Sequence, residues 1–82
     1  MGAESLTDAE LLAILISSGS PGLSAEQIAE EIVRRFGSFR EITKQPLEKL
    51  MEIKGLKKVK AIRIAAALEI ARRIMRDVEN KK

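Results

Sequence analysis

The chain contains no cysteine, no histidine, no tryptophan and no tyrosine. Without cysteine there is no disulfide and no thiolate zinc site. Without histidine there is no histidine triad and no histidine-bearing metal site. Phe36 and Phe39 are the only aromatic residues, so the platforms on which single-stranded bases stack are largely missing. Long hydrophobic runs are missing too. The longest strongly apolar stretch, Leu11–Ile16, falls far short of the roughly 20 residues that a membrane span needs. The opening Met1-Gly2-Ala3-Glu4 has neither the basic nor the apolar region of a signal peptide. At 82 residues there is room for one domain. These exclusions leave a soluble, cytosolic domain with no cofactor and no small-molecule substrate implied. No pair of residues has the spacing of a nucleophile with its base, so the chain reads as a non-enzyme.

What is present is charge, unevenly placed. The formal net charge is only +3. Residues 1–41 hold seven acids against three arginines, and residues 42–82 hold twelve cations against five acids. The net charge is therefore −4 in the first half and +7 in the second. A basic half in so small a domain is a mild pointer to a polyanionic partner, although charge alone fits better a solvated surface of mixed sign.

The apolar pattern is helical throughout, with no period-two stretch that would make a strand. Thr7-Asp8-Ala9-Glu10 is a capping box that opens a short helix with Leu11, Leu12, Ile14 and Leu15, ending near Ser17. Ser18-Gly19-Ser20-Pro21-Gly22 is a loop. Ser24 to Gln27 forms a second box. The helix it opens buries Ile28, Ile32, Val33 and Phe36, turns Glu30, Glu31, Arg34 and Arg35 to water, and ends at Gly37. Ser38 caps a short turn, Phe39–Thr43. Pro46 suits the first position of a helix Pro46–Glu52 with Leu47, Leu50 and Met51 as its apolar face. A long helix follows, from about Lys58 to Glu79. One of its stripes holds Ala61, Ile64, Ala65, Leu68, Ala71 and Met75; a second holds Ile62, Ala66, Ile70 and Ile74. Ile70, Ile74 and Val78 have too few partners within the chain and read as a fraying end or as an interaction surface, either a dimer contact or a seat for a missing neighbour. The fold class is thus all-α, a compact five-helix bundle over residues 5–79. Residues 1–4 read as an N-terminal tail and 80–82 as a disordered one.

The segment Leu47–Ala67 resembles the helix-hairpin-helix motif. Ile53, Lys54, Gly55 and Leu56 fit its turn, and Lys57 stands where a second glycine is usual. Such a turn exposes backbone amides at the start of the following helix, where the helix dipole adds positive charge and a phosphate can dock. Leu56 anchors the turn inward. Lys57, Lys58, Lys60 and Arg63 surround the amides, with Lys54 on the rim. Contact of this kind positions a double-stranded DNA backbone and reads no sequence. Gly22-Leu23-Ser24 before the Ile28/Ile32 helix echoes Gly55-Leu56-Lys57 before the Ala61/Ala65 helix. This internal repeat makes two helix-hairpin-helix-like units (SAM-like), the first of them degenerate and acidic. Glu26, Glu30 and Glu31 read as a solvated face.

The whole string then resembles the N-terminal region of the RadC family. The resemblance rests on Ser5-Leu6-Thr7-Asp8-Ala9-Glu10-Leu11-Leu12, Arg35-Phe36-Gly37-Ser38-Phe39-Arg40, Ile53-Lys54-Gly55-Leu56 with Lys60-Ala61, and Ala66-Ala67-Leu68-Glu69. It covers about Ala3 to Arg73. Lys57-Lys58 departs from the family's usual Gly-Pro. The resemblance implies a bacterial protein described as serving DNA repair. It also implies a larger C-terminal JAB/MPN-type domain with a histidine-rich zinc motif. None of that metal chemistry carries over to a chain without histidine. The resemblance therefore implies an N-terminal piece whose partners are duplex DNA and that absent domain.

Overall fold

A hydroxyl side chain begins each of the first three helices. The computed structural model describes residues 2–80. Helix α1 (Asp8–Ile16) starts at Thr7, whose Oγ1 accepts from the Glu10 amide at 3.1 Å while Glu10 Oε1 accepts from the Thr7 amide at 2.8 Å. Helix α2 (Ala25–Phe36) repeats the device with Ser24 and Gln27, at 3.1 and 2.8 Å. Ser38 accepts from the Glu41 amide to start α3 (Phe39–Thr43). Each cap satisfies amides that a helix leaves without an internal partner. Gly37 ends α2 at φ +98°, a conformation costly for any residue with a Cβ.

Helix α4 is a single turn, Leu47–Leu50, shorter than the expected Pro46–Glu52. Pro46 has extended backbone, ψ 157°, and so precedes the helix as its cap residue instead of occupying its first position. At the other end the amides of Glu52 and Ile53 reach back only three residues, to Lys49 and Leu50, and tighten the chain into the next turn. Met51 is consequently exposed and not part of an apolar face. At the N-terminus, where a tail was expected, Ala3–Ser5 makes one 3-10 turn. Both the amide and the hydroxyl of Ser5 bond the Gly2 carbonyl, which closes it. Asn80 is the last residue of α5; Lys81 and Lys82, the rest of the expected disordered tail, lie outside the described residues, as does Met1.

Two hairpins of helices close on the same turn. In the first, the Leu23 amide bonds the Ser20 carbonyl across Pro21-Gly22; in the second, the Leu56 amide bonds the Ile53 carbonyl across Lys54-Gly55. Gly22 and Gly55 have φ +83° and +88°, the value the third residue of a type II turn requires. Ser20 and Leu23 also exchange a second backbone bond, but this single bridge is no strand. The all-α expectation and the repeat both hold. The two turns lie against each other. A Cβ on Gly55 would stand 2.9 Å from Ile28 Cδ1 and 2.9 Å from Ser20 Oγ, whereas one on Gly22 would meet nothing within 4 Å.

The core is what the hairpins and α3 enclose. Leu12 and Ile16 of α1, Ile28 and Ile32 of α2, Ile42 of α3, Leu50 of α4, and Ile64 of α5 are fully buried, with Ile53 and Leu56 nearly so. Each such side chain contributes about 1.5–3 kcal/mol of burial. Helix α5 (Lys58–Asn80) packs on α1, α3 and α4. It does so only through its first three turns. Of its two expected stripes, Ala61 and Ile64 are buried and Leu68 half-buried; Ile62, Ala65, Ala66, Ala71 and Met75 are exposed. The bundle is too small to surround a helix of 23 residues, about 34 Å long. On the projecting part, Glu69 accepts hydrogen bonds from both Arg72 and Arg73. The bond from Arg72, then that from Arg73, holds its carboxyl down at about 2.

Replacing Gly55 by alanine is expected to lower unfolding free energy by about 2–4 kcal/mol, from strained backbone and crowding together. Gly22→Ala, with open space around it, should cost only about 1–2 kcal/mol; urea denaturation of the two variants measures the difference. For Glu69, NMR titration of the carboxyl carbon should find a midpoint near 2. A depressed pKa means the ion pair's contribution is present above the ordinary glutamate range and lost as pH falls through about 2. Arg72→Gln should move that midpoint back toward 4.5.

Candidate nucleic-acid interface

A lysine cannot cap a helix, and Lys57 stands where Ser24 stands in the first hairpin. The consequence is a difference between the hairpins. At the start of α2, the Ser24 hydroxyl accepts from the Gln27 amide and the Gln27 carboxamide accepts from the Ser24 amide, leaving the Ala25 and Glu26 amides without an acceptor among the described residues. At the start of α5, Lys57 precedes the helix with a side chain that has no acceptor, and the first turn holds no acid. The amides of Lys58, Val59 and Lys60 have no acceptor among the described residues. Such an end carries roughly half a positive charge.

The seven residues singled out from the sequence occupy three different situations. Lys54, Lys57 and Lys58 are exposed and make no ion pair among the described residues. Lys57 and Lys58 adjoin the start of α5, while Lys54 borders a separate hollow with Gln27, Glu31, Arg35 and Glu52. Gly55 and Leu56 build the turn itself. Leu56 is buried and touches core, so it shapes the site without facing a ligand.

Lys60 and Arg63 are occupied elsewhere. The Lys60 ammonium donates to the Ile16 carbonyl at 2.8 Å, to the Ser18 hydroxyl at 3.0 Å and to the Ser18 carbonyl. The Arg63 guanidinium donates to the Leu15 carbonyl at 3.2 Å and to Ser17 Oγ at 3.4 Å. These are the last carbonyls of α1. They need partners because α1 ends in Ile16-Ser17-Ser18 with no glycine to cap it. Instead Ser17 takes φ +63° and ψ −63°, and the Ser18 amide bonds the Ile16 carbonyl at 2.8 Å. This is a strained γ-turn, held from α5 by two cations. Their charge also suits the negative end of the α1 dipole. The sequence carried a signal for this: a helix ending in serines, without glycine or a base of its own, needs cations from another element.

An open cleft runs between the two turns, lined by Ser18, Ser20, Pro21, Gly55, Lys57 and Lys60. Its first-hairpin wall was not among the expected site residues. The acids that would repel an anion, Glu26 and Glu30, stand on exposed positions of α2. Glu31 is tied to Arg34, whose hydrogen bond holds its carboxyl below the usual range. Arg35 spans the hairpins through a 2.5 Å ion pair with Glu52. Among the described residues no cluster of acids could hold a metal ion, and no helix is long and apolar enough to cross a membrane.

Two helical hairpins with one shared turn geometry, one end closed by a capping box and the other open and basic, define a small double-hairpin domain of the all-α class. The chain belongs to the UPF0758 family: the family's profile described as UPF0758 N-terminal matches residues 1–62. A UPF0758 protein of Coprothermobacter proteolyticus is 40% identical over 76 residues, 93% of this chain and 32% of that protein. One from Staphylococcus aureus is 38% identical over 81 residues, 99% of this chain and 37% of its own length. One from Geobacillus kaustophilus is 42% identical over 73 residues, covering 89% and 32%. The chain therefore spans about a third of the length of these curated relatives. No solved structure matches it.

Because Lys60 is half-buried and triply bonded, Lys60→Met is expected to destabilise the fold by about 1.5–3 kcal/mol. The more exposed Arg63→Ala should cost under about 1 kcal/mol. Chemical denaturation of both variants checks the order.

Proposed function

We propose that this domain is a DNA-contacting accessory module of a RadC-like DNA-repair protein. It holds duplex phosphates, without reading sequence, at the Ile53–Lys58 turn and the first turn of α5. The observation that carries this reading is the start of α5, where the first turn holds no acid and Lys57 and Lys58 make no ion pair among the described residues, beside an α2 start that carries a capping box. A phosphate oxygen supplies the acceptor that the open amides lack. Lys54, Lys57 and Lys58 supply charge close to it. Lys60 and Arg63 serve the site indirectly, by fixing the first-hairpin turn against the second. The side chain of Lys57, in place of the glycine usual in this motif, brings a cation at the cost of bulk near the amides. The contact is therefore mainly electrostatic.

Binding that depends on charge must fall with salt, with a log–log slope of about −0.9 for each phosphate neutralised. Titration of the labelled chain with duplex DNA, followed by amide shifts, is expected to move resonances within residues 53–63. A slope between about −1 and −3 matches the three free lysines. The double change Lys57→Glu and Lys58→Glu should abolish binding and leave the circular dichroism spectrum unchanged, since neither side chain supports the fold. Absence of binding at low salt, or shifts centred on α2, would sink the proposal. The exposed Ile70, Ile74 and Val78 favour a second and separate role in protein contact, at the other end of α5.

A further inference from the structure

The distal half of α5 is an amphipathic helix with nothing on its apolar side. Ile70, Ile74, Met75 and Val78 are each 58–69% exposed. Projected at about 100° per residue, they fall with Ala67 and Ala71 within an arc of about 140°. Arg72, Arg73 and Arg76 lie across from that arc, with Glu69 between them. The arc is turned by about 80° from the direction in which Ala61, Ile64 and Leu68 meet the core. No neighbour in the bundle stands on that side.

Two boundaries coincide near the root of this half-helix. The N-terminal family profile stops at residue 62, and the last buried residue is Ile64. Similarity to the relatives nevertheless runs on, across 99% of the chain in the Staphylococcus aureus protein. About two thirds of each relative lies outside the matched stretch. The projecting half of α5 is thus shared with proteins that have much more chain, and it lies beyond the region that forms the N-terminal core.

A helix of this length without tertiary partners is marginal in water. Its exposed Glu69–Arg72 and Glu69–Arg73 pairs add little to it. An occupant is therefore needed, and two are available. A second copy would have to be held by four large apolar side chains and two alanines. That is a narrow stripe for a free association, in which a standard interface buries roughly 800 Å² per partner. A segment of the same polypeptide needs less area, because tethering presents it at an effective concentration of about millimolar.

We infer that the face formed by Ile70, Ala71, Ile74, Met75 and Val78 is the docking surface for the remaining two thirds of a full-length UPF0758 polypeptide, which receives it in an apolar groove. The surface is distinct from the lysine-ringed turn, and the inference stands whether or not that turn binds DNA.

Hydrogen exchange tests it, on this chain and on the full-length Staphylococcus aureus relative, each normalised to unstructured rates. In this chain, amides of residues 70–80 should exchange within about tenfold of the unstructured rate. In the full-length relative, the aligned stretch should be slowed a further 100-fold or so. Aspartate at the relative's position aligned with Ile74 should remove that added protection and leave the rest of the map unchanged. The same change here, Ile74→Asp, should leave the protection of residues 8–64 as it was, because the side chain is outside the core. Equal exchange in the two proteins overturns the inference, as does protection that survives the aspartate. Protection in this chain that grows with concentration, together with a doubled sedimentation mass, assigns the face to a second copy and overturns it as well.

Discussion

The C-terminus of α1 directs its last carbonyls at α5, and the ammonium of Lys60 is what they meet. That contact joins the two hairpins at their turn ends. It satisfies groups that the Ser17-Ser18 ending cannot satisfy alone, and it holds Ser17 in a left-handed conformation that serine otherwise avoids. Gly55 depends on the same closeness, since its missing side chain leaves the room that Ile28 and Ser20 fill. The placing of the basic turn against the first hairpin follows from these two adjacent features.

The hairpins are alike in backbone and opposite in surface chemistry. Ser24 with Gln27 makes one amide end a boxed, acid-flanked helix start. Lys57 leaves the other unclosed. A single residue type at one register position thus separates a helix start with a capping box from one without. The distribution of charge along the sequence agrees with that division, but the exposed cations near the turn are fewer than the count suggests. Two of the basic residues nearest to it stabilise the domain from within.

Much of the architecture was legible in the residues. Hydroxyl caps, a helical period and the Gly-Leu turns carry local information, and local information predicts local structure. The helix starts at Thr7, Ser24 and Ser38 and the repeat were readable for that reason. Pro46 was misplaced by one position because proline is compatible with both the cap and the first helical residue, and only the chain's path decides. The role of Lys60 was not legible from charge, since it depends on an element 44 positions away. Apolar stripes alone also overstated how much of α5 would be covered. A stripe reports what a helix can bury, whereas the number of neighbours sets what it does bury.

Helix α5 has no break between its first turn and Asn80. Along one continuous helix axis, Lys58 and Ile74 are therefore about 24 Å apart. A duplex gripped at one end and a protein body seated at the other would be held at a set separation, equal to roughly seven base-pair steps. The helix would then act as a spacer, deciding how far from the gripped phosphates the rest of the protein can work.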